Sequence, residues 1–217
     1  LKSVQAVTSL ADKLDKREKQ IITILNLMVK AGLDAAQGEY LDLMVSQKKE
    51  ATIEECLEIA RKKTGAFIKA SLEIGAVIGN ASEHELEALS EYGDSLGIAY
   101  QLADDILGLT SMSETLGKEI GADIRNGKVT AVIAHCLNMC SNDQRKIVLE
   151  ILGKKNAEKK EMQMFIDVLK NCGSIQYTYN LAKNYASAAK KKLRILPQTK
   201  AKEILEKLAD IVVSREW

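Results

Sequence analysis

Apolar and small residues recur at intervals of three and four along most of this chain. Leu57, Ala60, Thr64, Phe67, Ile68, Leu72, Gly75, Ala76 and Gly79 keep that spacing, which predicts one helix over 57–79 with an apolar, small-residue face. A second run through Leu86, Leu89, Gly93, Leu96, Gly97, Tyr100 and Asp104 predicts a long central helix from Glu83 to Gly108. Residues 110–125 are rich in Gly, Ser and Thr and read as a loop, after which helices resume near Lys128. Further helices are expected at about 142–152, 158–171, 175–196 and 198–214. Three start signals support the pattern. Thr52 to Glu55, Ser82 to Glu85 and Ser141 to Gln144 each pair a hydroxyl with a carboxylate or amide three residues on, the arrangement that satisfies free backbone N–H groups at a helix start. A single proline, Pro197, leaves the rest free of the strongest helix breaker. The expected fold is all-α, an antiparallel helical bundle.

Composition narrows the class. At 217 residues, with 46% apolar and 28% charged residues, the chain suits one folded domain spanning 1–217. The net charge of +1 is spread from end to end, so there is no electrostatic footprint for nucleic acid. The lysine clusters at 154–160 and 190–192 read as a solvated loop and a solvated helix face. Four scattered cysteines, Cys56, Cys136, Cys140 and Cys172, make no disulfide framework and fit a reducing, cytoplasmic setting. Cys136 and Cys140 with His135 lack an evident fourth zinc ligand and read as core or half-buried residues, and His84 beside a cap reads as exposed. No apolar run approaches the roughly 20 residues of a membrane span. The first residues, Leu1 to Val4, show neither a signal sequence nor an initiator Met, so the chain is expected to start inside a longer one.

The unusual feature is Tyr100-Gln101-Leu102-Ala103-Asp104-Asp105-Ile106-Leu107-Gly108. Adjacent carboxylates within an apolar-periodic helix are costly unless paired, metal-bound or neutralised. Gln101, Asp104, Asp105 and Gly108 lie three and four apart and form one polar stripe, from which two carboxylates could hold a hard cation such as Mg²⁺; the plain alternative is an exposed acidic last turn. Downstream, Gly117, Lys118, Gly121, Asp123, Gly127, Lys128 and Thr130 alternate glycines, which allow close backbone approach, with lysines that supply point charges for phosphate oxygens. Lys63, beside Thr64, is a third lysine of this kind.

The order and spacing of Lys63-Thr64, Gln101-x-x-Asp104-Asp105 and Gly117-Lys118-x-x-Gly121-x-Asp123-x-x-x-Gly127-Lys128-x-Thr130 resemble the trans-prenyl diphosphate synthase (polyprenyl synthetase) family. Upstream, Gln37-Gly38-Glu39-Tyr40-Leu41-Asp42-Leu43 is similar to the family's Gly-Gln-x-x-Asp-Leu segment with its first two residues exchanged. The likeness runs from about Ala35 to the end. It implies an isoprenoid synthase bundle of which this is the C-terminal portion, with the N-terminal helices, the first aspartate motif, its following arginines and the isopentenyl diphosphate receptors lying upstream. It also implies a prenyltransferase that condenses an allylic diphosphate with isopentenyl diphosphate, giving farnesyl, geranylgeranyl or longer polyprenyl diphosphates. Asp104 and Asp105 would hold Mg²⁺, Lys63, Lys118 and Lys128 would bind substrate diphosphate, and Gln101 with Thr64 would lie near the allylic carbon. Gly108 stands where the family's second motif has a third aspartate.

Two alternatives share parts of the pattern. A non-catalytic regulatory subunit of a prenyl diphosphate synthase would suit Gly108, but has no need of this charge arrangement. A terpene cyclase shares the ionisation chemistry, but its Asn/Ser/Glu metal pattern is not found. A homodimer is expected, both from the resemblance and from the small-residue face at Gly65, Ala66, Ala70, Gly75 and Ala76.

Overall fold

A computed structural model describes residues 18–110 and 121–214, together with residues 2, 5, 8 and 9. Among the described residues there is helix and turn but no strand. The expected all-α class is borne out. Helix α1 spans Glu18–Lys48, α2 Ile53–Ala60, α3 Ala66–Ile78 and α4 Glu83–Thr110. After a one-turn helix, α5 (Ala122–Arg125), come α6 (Ala131–Met139), α7 (Asn142–Ile151), α8 (Lys159–Asn171), α9 (Ser174–Lys192) and α10 (Lys200–Val213).

The three start signals form as read. Thr52 and Ser141 accept from the backbone N–H of Glu55 and Gln144, whose side chains reach back to the cap N–H. Ser82 and Glu85 make the same reciprocal pair. These caps fix where α2, α4 and α7 begin, and hence which faces the apolar spacing turns inward.

Long helices run antiparallel to their neighbours. Gln20 at the start of α1 donates to Val77 O at the end of α3, 3.0 Å away, while Asp42 near the other end of α1 meets Lys63. Glu91 early in α4 pairs with Lys192 late in α9 at 3.0 Å, and Lys190 of α9 pairs with Asp210 of α10 at 2.8 Å. Within the lysine clusters, Lys154, Lys190 and Lys192 thus make surface ion pairs, Lys154 with Glu161. One apolar core gathers Ile98, Leu102 and Ile106 of α4 with α6, α7 and α8; a second joins Tyr92, Leu96 and Ala99 to Ala186, Ala189, Leu193 and Ala209. Tyr92 is fully buried and its hydroxyl donates to Leu205 O at 2.7 Å, so burying this phenol leaves no polar atom unpaired. Among the described residues no helix is long and apolar enough to cross a membrane.

Two expectations need adjustment. The run over 57–79 is continuously helical to Ile78, as expected, but not uniformly α: Arg61–Gly65 forms a π turn between α2 and α3. This turn lies where three backbones meet. A Cβ on Gly38 of α1 would run into the backbone N of Lys63, and one on Gly97 of α4 would run into the Cα of Gly65. Apolar periodicity cannot register such a turn, because the glycines that accommodate it lie on other helices. The second concerns 110–125, expected as a loop: α4 reaches Thr110 and Ala122–Arg125 is helical, while 111–120 lie outside the described residues. The small-residue face offered as a ground for dimerisation is largely used inside the chain, since Gly65 packs on Gly97 and Ala70 and Ala76 are buried. Cys136 is a core residue and Cys140 half-buried; no group of three or more His, Cys, Asp or Glu among the described residues could hold a metal ion by itself.

Candidate active site

The π turn, the last third of α4 and the approach to α6 enclose one cavity. Lys63, Gln101, Asp105, Lys128 and Thr130 line it, with Asp42 of α1 beneath. Lys63 Nζ donates to Asp42 Oδ2 at 2.7 Å and to Glu39 Oε2 at 2.5 Å. Burial works against its ammonium charge, but the hydrogen bonds it donates to Asp42 and Glu39, with their negative charges, outweigh burial and raise its pKa. Asp42 is itself buried, so its position one turn along α1 from Gly38 matters: the glycine lets the π turn come close enough for Lys63 to neutralise it.

Thr64, next on the turn, donates to Gln101 Oε1 at 2.5 Å, and Gln101 Nε2 donates to Asp105 Oδ1 at 2.8 Å. When ionised, Asp105 only accepts, and in that state it fixes which end of the Gln101 amide faces it, leaving the oxygen for Thr64. Asp105 is buried at the middle of this network. Burial pushes its carboxyl up to about 7; Lys128 and the Gln101 hydrogen bond oppose this, and Asp123 and Asp104 add to it. For Lys128, burial disfavours the charge, yet Asp105, Asp123 and Asp42 more than compensate and its pKa rises. Cys56 lines the same cavity with its thiol 3.5 Å from Val129 O; burial, followed by the charge of Asp105, pushes it up to about 12, which keeps it neutral.

Asp123 brings a carboxylate that periodicity did not single out. Its Oδ1 lies 3.5 Å from Lys128 Nζ, and its Oδ2 lies 3.5 Å from where a Cβ on Gly108 would stand. Asp123 of α5 thus places a carboxylate beside the position where a third aspartate would sit on α4.

The chain's resemblance to known proteins can be set against this geometry. The polyprenyl synthetase family model matches residues 3–169. The chain belongs to the polyprenyl synthetase family. It is 39% identical over 214 residues to a short chain isoprenyl diphosphate synthase of Methanocaldococcus jannaschii, covering 99% of this chain and 63% of that protein. The crystal structure of geranylgeranyl pyrophosphate synthetase from Pyrococcus horikoshii superposes with a TM-score of 0.84 at 39% identity, over 92% of this chain and 60% of that one. A polyprenyl synthase from Caulobacter crescentus, complexed with calcium and isoprenyl diphosphate, superposes with a TM-score of 0.84 at 33% identity, over 89% of this chain and 59% of that one. The chain spans about three fifths of the length of these relatives.

Of the residues that the family pattern singled out, Lys63, Gln101, Asp105 and Lys128 face one cavity, and Thr64 is bonded to Gln101. Asp104 is half-buried beside them on α4, close enough to raise the Asp105 pKa. Lys118 lies outside the described residues. Sequence reasoning gave no role to Asp42, Asp123 or Thr130, although each stands in a quoted motif. Their signal was polarity at positions flanked by apolar residues, as in Leu41-Asp42-Leu43 and Val129-Thr130-Ala131.

The carboxylates fit a hard divalent cation. Asp105 is buried with a raised pKa, and two further carboxylates add to that rise, which is a local excess of negative charge that a cation would relieve. Mg²⁺ characteristically takes one or two carboxylates and completes its octahedron with water and phosphate oxygens, so an incomplete protein ligand set is what it requires.

Proposed function

We propose that this protein is a prenyltransferase that condenses an allylic diphosphate with isopentenyl diphosphate, yielding farnesyl, geranylgeranyl or longer polyprenyl diphosphates, and that residues 1–217 are the C-terminal portion of a single isoprenoid synthase domain. The observation that carries the reading is the cavity in which two ammonium groups, Lys63 and Lys128, face the carboxylates of Asp42 and Asp105 beside the Thr64–Gln101 hydrogen bond. A diphosphate is a polyanion, and a site for it needs positive charge in balance with metal-holding carboxylates. Asp104 and Asp105, with Asp123 nearby, would hold Mg²⁺, which supplies electrostatic stabilisation to a leaving diphosphate. Lys63 and Lys128 bind the same group from the protein side, and Lys118 is assigned to it as well. Gln101, locked between Thr64 and Asp105, directs its amide dipole at the allylic end, where positive charge develops. Ala60, Ile59 and Val129 form an apolar border that keeps water from the reactive carbon.

The enzyme is proposed to act as a cytoplasmic homodimer. Besides the family resemblance, support comes from an exposed apolar row on α1, Ile22, Val29, Leu33, Tyr40 and Leu43, spaced by whole turns.

The test is condensation of labelled isopentenyl diphosphate with an allylic acceptor by the full-length protein, with and without Mg²⁺. Metal-dependent chain extension is expected. Absence of product, together with stimulation of a separate prenyl synthase on mixing, would instead show a regulatory subunit.

A further inference from the structure

Thr130 occupies the N-cap of α6 in the extended conformation that caps adopt, φ −82° and ψ 170°, close to that of Thr52 at φ −81° and ψ 163°. Yet the two hydroxyls behave differently. Thr52, Ser141 and Thr199 each accept from the N–H three residues on, whereas Thr130 makes no side-chain capping bond. Its Oγ1 is buried without a hydrogen-bond partner, the single side-chain nitrogen or oxygen in that condition among the described residues. The residue is 7% exposed and lines the cavity of Lys63, Gln101, Asp105 and Lys128. A hydroxyl that forgoes both a cap and solvent is costly to keep unless something in the cavity pairs with it.

What would pair with it follows from its neighbours. Lys63 and Lys128 are close enough for their charges to interact and both line the cavity, and once a metal ion balances the neighbouring carboxylates, two ammonium groups favour an anionic oxygen between them. A hydroxyl supplies the neutral donor that such an oxygen can still accept. We propose that Thr130 is a substrate-binding residue whose Oγ1–H donates to a diphosphate oxygen held between Lys63 and Lys128. This rests on the reading of the cavity as a diphosphate site.

The experiment compares full-length wild type with Thr130→Val and Thr130→Ser. Inorganic diphosphate is titrated calorimetrically with Mg²⁺, ligand-free melting is recorded, and KM is measured separately for the allylic and isopentenyl substrates. Val should lose about tenfold in diphosphate affinity, the effect of one hydrogen bond to a charged group. It should melt no lower than wild type without ligand, and Ser should bind as wild type does. A KM rise confined to one substrate supports the proposal and identifies whose diphosphate sits there. Val binding as tightly as wild type would overturn the proposal and leave the site reading intact; a lower melting point with unchanged binding would likewise overturn it, placing the hydroxyl on a structural water. If wild type itself bound no diphosphate, the site reading would fall, and this inference with it.

Discussion

The π turn between α2 and α3 presents cations in two directions, and the two sides differ in kind. On one side Arg61 pairs with Glu58 at 2.6 Å and with Asp94 at 3.1 Å, and Lys62 lies near Glu58 and Asp34 at 3.6 and 3.7 Å. These partners are a quarter to two fifths exposed, and water screens their attraction. On the other side Lys63 sits over buried Asp42, and Thr64 passes a hydrogen bond through Gln101 to buried Asp105. The outer side is a set of completed, replaceable ion pairs. The inner side concentrates carboxylates whose charges are only partly balanced, which is an arrangement prepared for a ligand that brings its own charge.

Asp105 should show the contrast most strongly, through pH. Its pKa is raised from 3.8 to about 7, so in the metal-free protein the folded state keeps a proton that the unfolded state has lost between those values. Stability from this group therefore falls as pH rises from about 4 to about 7 and is level above, by roughly 4 kcal/mol in all. Urea unfolding of wild type and Asp105→Asn at pH 5 and pH 8 tests it: the wild type should lose stability relative to the variant at the higher pH. An equal response in both would mean that Asp105 is ionised in the fold throughout.

Next in size is Asp104→Ala, which should lower turnover of the full-length enzyme about a hundredfold or more, because a carboxylate proposed to hold the metal is removed. Steady-state assays over a range of Mg²⁺ concentrations should show that excess metal restores little of it.

Glycine substitutions sharpen the comparison within the fold. A methyl on Gly38 strikes the Lys63 backbone, so Gly38→Ala should cost about 1–3 kcal/mol and disturb activity as well. Gly75, in α3, has nothing within 4 Å of an added Cβ; Gly75→Ala should stabilise the protein by about 0.5–1 kcal/mol. Thermal melts of the two variants should move in opposite directions. The smallest effect belongs to the outer side: Arg61→Ala should change stability by no more than about 1 kcal/mol and turnover by about twofold or less.

The helices from α2 onward were largely legible through apolar spacing, and several carry their own start signal, as at Thr52, Ser82 and Ser141; α1 was not among the expected elements. The π turn was not, since its determinants are Gly38 and Gly97, distant in sequence and meaningful only once three backbones cross. The candidate site divides the same way. Adjacent carboxylates at Asp104 and Asp105 stood out against an apolar helix, and Lys63 and Lys128 were found through their motifs. Asp42 stood in a quoted motif without a role until the fold buried it under Lys63. Thr130 stood in the glycine–lysine motif without a role, and only its buried, unpaired hydroxyl marks it out.

The central claim is that the inner side of the π turn and the carboxylates of α4 form one metal-dependent diphosphate site. Calorimetric titration of inorganic diphosphate, with and without Mg²⁺, into full-length wild type, Lys63→Ala and Arg61→Ala tests it most directly. The account predicts Mg²⁺-dependent binding that Arg61→Ala retains and Lys63→Ala weakens at least tenfold, the scale of a lost charge-assisted hydrogen bond. Binding that ignores Mg²⁺, or that weakens equally in the two variants, would contradict it.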